Sequence, residues 1–181
     1  MQPAFRCVVL ALGLSSATVV HAQPAGWQGL YGGVGLTRAA YKEEGFPTAY
    51  PMVLSGRIGK QFTPNFAVEG RLGFGVTDDD VDVGGLPVNL EIDYYFGVYG
   101  KGILPLSSQA SVYGLIGITQ AKLTASAGGF SVTDSDNDLS YGIGGELAFS
   151  QTVSATLEWA RLLKGDGYKI DGISIGVNFK F

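Results

Sequence analysis

Between Ile170 and Phe181 the chain alternates with a period of two. Ile173, Ile175, Val177, Phe179 and Phe181 fall on one face, and Gly172, Ser174, Gly176, Asn178 and Lys180 on the other. That pattern belongs to a β-strand with two different surroundings, because successive side chains of an extended chain point to opposite faces. It recurs from Phe66 to Thr77, where Phe66, Val68, Leu72, Phe74 and Val76 oppose Ala67, Glu69, Arg71, Gly73 and Gly75. Leu139–Phe149 and Val153–Trp159 repeat it. Leu30–Ala40, Met52–Phe62, Leu90–Leu104 and Ala110–Ala125 complete a set of eight strands. In Leu90–Leu104 the alternation places Glu91, Asp93, Tyr95, Gly97 and Tyr99 on the polar face. Val112–Ile118 is apolar on both faces and has no readable orientation.

The connections alternate in length. Thr63–Asn65, Pro105–Gln109 and Ser150–Thr152 are short; Tyr41–Tyr50, Asp78–Pro87, Ser126–Asn137 and Lys164–Lys169 are longer and polar. Tight turns at one end and long loops at the other describe an antiparallel up-and-down meander closed into a barrel.

Residues 1–22 have the form of a secretory signal peptide: Arg6, a short apolar run from Cys7 to Leu14, and a small-x-small site at Val20-His21-Ala22. The run is too short for a spanning helix. Cleavage after Ala22 leaves residues 23–181 as the barrel. It removes Cys7 and His21, the single Cys and single His of the chain, and takes the net charge from −4 to −5 by the loss of Arg6. Disulfides, Cys nucleophiles, Ser-His-Asp triads and His metal ligands are thereby excluded from residues 23–181. No metal or other cofactor is expected, and the acidic balance excludes a nucleic-acid partner.

Period-two alternation fits both a soluble lipocalin-like barrel, apolar inside, and an outer-membrane barrel, apolar outside. Three features favour the membrane. The polar faces carry many glycines where a soluble exterior would carry dense Lys and Glu, and only 15% of the residues are charged. Aromatics cluster near strand ends (Phe62, Phe66, Phe149, Trp159, Phe179), as in interfacial girdles. The chain ends on an alternating strand with Phe181 last.

The terminal segment Gly172-Ile-Ser-Ile-Gly-Val-Asn-Phe-Lys-Phe181 and Ala110-Ser-Val-Tyr-Gly-Leu-Ile-Gly-Ile118 resemble the small eight-stranded outer-membrane barrels of the OmpA/OmpX type, in particular the OmpX/Ail/Lom branch. Tyr141-Gly-Ile-Gly-Gly-Glu146 and Leu157-Glu-Trp-Ala160 are similar to its sixth and seventh strands. The resemblance implies an all-β, eight-stranded transmembrane barrel with short periplasmic turns and longer extracellular loops. It implies a place in the outer membrane of a Gram-negative bacterium, without the peptidoglycan-binding domain of OmpA. Phe179 and Phe181 would be the signal read by the barrel-assembly machinery. Its small membrane enzymes rely on an active-site His, which residues 23–181 lack, so the resemblance points to a non-enzymatic protein.

On the inferred inner face lie Arg57, Glu69, Arg71, Glu91, Asp93, Lys101, Glu146 and Glu158. Charges in a water-poor interior must pair, at a cost of several kcal/mol each otherwise, so these residues are expected to form an interior ion-pair network. The acidic sets Asp78, Asp79, Asp80, Asp82 and Asp134, Asp136, Asp138 are expected in extracellular loops. The second set starts like a calcium loop, but Leu139 stands where that loop needs Gly, and no Glu occupies its twelfth position. Phe46, Tyr50, Phe130 and Tyr168 add loop aromatics. The strands at 90–104 and 110–125 exceed the roughly 9 to 11 residues a membrane requires, and the excess is expected to protrude as a sheet. The expected function is structural, adhesive or protective at the surface, in a monomer, since closure removes free sheet edges. The expected partners are outer-membrane lipid, lipopolysaccharide and, through the loops, host or surface proteins. A small gated pore and a soluble lipocalin-like periplasmic carrier are the alternatives.

Overall fold

The computed structural model describes residues 28–43, 45, 47–83, 86–127, 130–165 and 167–181. The proposed signal peptide and Phe46 lie outside the described residues. The chain forms β1 (Leu30–Glu43), β2 (Met52–Thr63), β3 (Phe66–Thr77), β4 (Asp79–Val83), β5 (Leu86–Pro105), β6 (Ala110–Ala127), β7 (Phe130–Ala148), β8 (Val153–Lys164) and β9 (Tyr168–Lys180). All neighbours are antiparallel. β1 pairs with both β2 and β9, and β3 pairs with β5, so the sheet closes on itself. β4 follows β3 past Asp78 and, among the described residues, pairs with the start of β5 alone. The result is a closed eight-stranded barrel with one short additional strand.

The apolar stripes face outward. Ile58, Val98, Ile116, Ile143, Leu157, Ile173 and Ile175 are each about 60% exposed, while Thr37, Glu69, Thr119, Ser140, Ser154, Glu158 and Asn178 are buried. Polar inside and apolar outside is the arrangement lipid demands. The soluble-carrier alternative needs the Ile173-to-Phe181 stripe inside and is therefore set aside. Tyr141 and Trp159 meet edge to face near the extracellular end of the belt, with ring centroids 6.3 Å apart; Phe62 and Phe66 meet at the opposite end.

β6 takes the orientation its sequence leaves open: Tyr113, Leu115 and Thr119 point in, and Val112, Ile116 and Ile118 point out. The interior is filled by tyrosines lying over glycines. Tyr31 covers Gly59, Tyr95 covers Gly73, Tyr113 covers Gly144, and Tyr99 covers Gly97 and Gly117. A Cβ on Gly97 would stand 2.6 Å from the Tyr99 hydroxyl, closer than packing permits. An eight-stranded barrel has room only for side chains, and backbone without Cβ gives a ring on the same or a neighbouring stave its space.

The expected loops at 78–87 and 126–137 are largely strand. β6 and β7 continue to Ala127 and Phe130, pairing in unbroken register from Ala110↔Leu147 to Ala127↔Phe130. Because β7 meets β8 only from Tyr141 onward, its outer part rises beyond the barrel with β6 and the start of β5. A strand climbs about 3.4 Å per residue, so Phe130 to Ser140 reaches about 35 Å along the strand. Asp78 precedes β4, Asp79, Asp80 and Asp82 lie on it, and Asp134, Asp136 and Asp138 lie on β7.

Candidate functional site

Four layers close the barrel along its axis. At mid-height, Arg71 from β3 holds Glu158 of β8 with two nitrogens, Nη1 to Oε1 at 2.5 Å and Nη2 to Oε2 at 2.8 Å, while its Nε donates to Glu69 Oε1. Tyr31 donates to the other Glu69 oxygen at 2.7 Å and Tyr113 to Glu158 Oε2 at 3.0 Å. The guanidinium carbon lies 4.9 Å from the centre of the Tyr99 ring. Both carboxylates are thus fully engaged, which is what makes a buried ion pair tolerable.

Below it, toward the short turns, Lys101 reaches Glu69 at 4.0 Å and Glu146 at 3.6 Å, with its ammonium 3.8 Å from the Tyr113 ring centre. Glu146 also meets Lys180 at 3.9 Å and accepts from Ser154 at 2.8 Å. Above the ion pairs, hydroxyls bridge the staves. Tyr99 meets Thr119, Ser140 Oγ stands 2.6 Å from Thr119 Oγ1 and from the Leu162 carbonyl, and Thr37 meets Ser174 at 2.7 Å. Above the hydroxyls an apolar cluster that includes Val53, Ile92, Tyr95, Leu163 and Ile170 fills the outer mouth.

Of the eight expected interior charges, Glu69, Arg71, Lys101 and Glu158 meet in one network with the half-buried Glu146 at its periplasmic edge. Arg57 is buried beside them, and among the described residues its Nε and Nη1 have no hydrogen-bond partner. Glu91 is a correction: it is exposed. A bulge between Ile92 and Tyr94 shifts the register of β5, so Leu90 and Ile92 turn inward and Glu91 outward. Asp93 sits at that bulge, away from the central network, with Lys122 at 3.5 Å and Thr124 at 3.1 Å. A second bulge, between Arg161 and Leu163, turns both Leu162 and Leu163 inward. Sequence alternation gave no sign of the apolar plug, since both bulges break the period that would have revealed it.

The aspartates of β7 have specific contacts. Asp134, Asp136 and Asp138 each accept the backbone N–H of the following residue, at 2.8, 2.8 and 2.7 Å. The second oxygen of Asp138 accepts the N–H of Lys164 at 2.8 Å, and that of Asp136 accepts the Tyr168 hydroxyl at 2.5 Å. Where β7 outgrows β8, carboxylates replace the backbone ladder. Charged side chains on a free strand are a known protection against unwanted pairing. On the other flank Asp79 accepts the Tyr50 N–H at 2.7 Å, and Asp78 and Asp80 both accept from Asn89. Among the described residues no group of three or more acidic side chains could hold a metal ion. Tyr168 stacks on Tyr41 at 5.6 Å, and Arg38 lies 4.4 Å over Tyr50. Phe130 and Val132 stand at 82% and 72% exposure near the hairpin tip. Phe179 and Phe181 face outward at the periplasmic end, and the Phe181 N–H bonds the Leu30 carbonyl at 3.0 Å.

A family model described as the outer membrane protein beta-barrel domain matches residues 7–181. The chain belongs to that family. Its fold matches solved outer-membrane barrels at low identity. Ail, the attachment invasion locus protein of Yersinia pestis, is 19% identical with a TM-score of 0.64, over 84% of this chain and 97% of that one. Neisserial surface protein A is 16% identical with a TM-score of 0.64, over 85% and 98%. The N-terminal barrel domain of Pseudomonas aeruginosa OprF is 13% identical with a TM-score of 0.51, over 81% and 97%. No curated protein matches the sequence. Family and fold together place this barrel in the outer membrane, with its lipid-facing belt as described above.

Proposed function

We propose that this barrel is a non-enzymatic surface protein whose β5–β7 sheet attaches the cell to a protein surface, with the closed barrel serving as its membrane anchor. The observation that carries this reading is the hairpin of β6 and β7, which projects past the barrel and displays Phe130 and Val132 to solvent. Exposed large apolar side chains on an otherwise Ser-, Thr- and Asp-rich sheet favour a partner that buries them. The aspartates of β4 and β7 favour a partner with basic groups around that apolar contact. Ail, to which the fold is similar, is by its name an attachment protein, and it has been solved with the heparin analogue sucrose octasulfate. The acidic sheet of the present chain argues for a cationic protein partner in place of a sulfated glycan.

The test is a shortened hairpin. Replacing residues 124–133 by Asn-Gly leaves Leu123 and Asp134 paired across a two-residue turn, with plug and belt intact. Cells carrying the short form at equal surface abundance should lose most of their attachment to protein-coated surfaces. Undiminished attachment would sink the proposal.

A further inference from the structure

We propose that the outer wall of β8, β9 and β1 holds the phosphates of an outer-leaflet lipid through Lys42, Lys164 and Lys169. The three lysines stand in one row across three strands, Lys42 opposite Lys169 and Lys169 opposite Lys164. Directly opposed residues of an antiparallel pair have Cβ atoms about 5 Å apart, and like charges there repel. All three side chains are exposed, and together they line a cleft of about 450 Å³. Lys42 reaches Asp171 at 3.8 Å, a carboxylate that Arg161 already holds at 2.8 Å. Among the described residues the side chains of Lys164 and Lys169 make no ion pair. Glu43 borders the cleft from the other face of β1, the face of Tyr41, whose hydroxyl donates to it at 2.8 Å.

Position decides the kind of anion. The outward side of β8 and β9 is apolar through Leu157, Trp159, Ile175 and Ile173. Arg161 and Asp171 come next, and the lysine row follows. Arg38, opposite Ile173 on β1, adds a fifth cation at the edge of the belt. Five of the chain's 12 Lys and Arg residues thus gather on one stretch of wall. Among the described residues Asp171 is the acid on that face. In a chain with 16 acids, such a gathering is a local device and not a general solubilising coat. A strand climbs about 3.4 Å per residue, so Lys169 stands about 14 Å along β9 from Ile173. A tilt of about 40° makes that about 10 Å of height, the level of the headgroups. Lys and Arg clusters at a membrane surface draw anionic lipid. The lower edge of the cleft is continuous with the belt, so one lipid can place phosphates on the lysines and acyl chains on Ile173 and Ile175. The proposal stands apart from surface attachment, whose aspartates lie on β4 and β7.

The probe is diphosphoryl lipid A, titrated into the full-length folded protein in a zwitterionic detergent, with bound lipid read by native mass spectrometry. The same lipid stripped of its phosphates and inorganic phosphate are the comparison ligands. Lys164→Gln with Lys169→Gln removes two ammonium groups of the row; Lys60→Gln with Lys122→Gln removes the same charge elsewhere. Wild type and the Lys60/Lys122 variant should bind the diphosphoryl lipid alike. The Lys164/Lys169 variant should bind it about tenfold more weakly or worse, while keeping the heat-dependent gel mobility of a folded barrel. Equal affinity in the two variants overturns the proposal. Equal binding of the dephosphorylated lipid overturns it too, since acyl contact with the belt would then be the whole attraction. Displacement of the lipid by inorganic phosphate at equal concentration would mark a site for soluble anions and also overturn it. If the Lys164/Lys169 variant does not fold, Lys169→Gln alone and the two lipids on wild type decide.

Discussion

Arg71 and Glu158 join opposite regions of the barrel wall, β3 to β8, through two parallel hydrogen bonds. The bond crosses the lumen, so it fixes the spacing of two staves that share no ladder. Removing one partner of such a buried pair costs about 3–5 kcal/mol, because the other charge stays behind. Arg71→Ala leaves both Glu69 and Glu158 without their guanidinium. The expected outcome is a loss of about that size in urea unfolding in detergent, partly restored by Glu158→Gln. Unchanged unfolding of Arg71→Ala would show that the network does not hold the barrel.

The tyrosine–glycine contacts make a separate prediction. Gly73→Val drives a branched side chain into the space of the Tyr95 ring. Overpacking of this kind costs about 1–3 kcal/mol. Tyr95→Ala in the same chain should remove much of that penalty, giving a coupling in a double-mutant cycle that two independent sites would not show.

These contacts also show what the sequence could and could not disclose. Residues 66–77, 139–149, 153–159 and 170–181 reveal their facing plainly, because lipid on one side and glycine or polar groups on the other impose strict alternation. Glu91 and Leu163 were hidden by bulges, each of which reverses the facing of the residues beyond it. The outer half of β7 reads as loop because both of its faces meet water, and Ser, Thr and Asp then replace any apolar stripe, whereas β6 is legible as strand as far as Ala125. Tyr95 over Gly73 joins residues far apart in sequence, a pairing that only closure and register create. Arg71 and Glu158 were legible as interior charges, whereas their direct contact was not.

Asp138 connects the projecting hairpin to the rim of the barrel through the Lys164 N–H. Hydrogen bonds to a charged group contribute about 1.5–3 kcal/mol. In Asp138→Ala, amide exchange at Leu139 and Lys164 should quicken by about tenfold or more, while amides of the belt keep their rates. Equal rates at both positions would show that the carboxylate does not tie the sheet down.

Tyr168 should make the same junction sensitive to alkali. Burial, together with its hydrogen bond to Asp136, holds the Tyr168 hydroxyl above its ordinary value of 10.0. The folded state keeps this proton where the unfolded chain releases it. Its contribution is therefore complete below pH 10 and declines as pH rises above that value. The stability of wild type should fall more steeply above pH 10 than that of Tyr168→Phe. Superimposed profiles would count against a buried, bonded hydroxyl.

The most direct test of surface attachment leaves the whole fold in place. Phe130→Ser with Val132→Ser changes two exposed side chains on the hairpin and no interior contact. Attachment of intact cells to protein-coated surfaces should be measured at matched amounts of folded, surface-displayed barrel. A drop of about tenfold or more is expected, the loss of one to two buried apolar anchors at an interface. Attachment equal to wild type would contradict it.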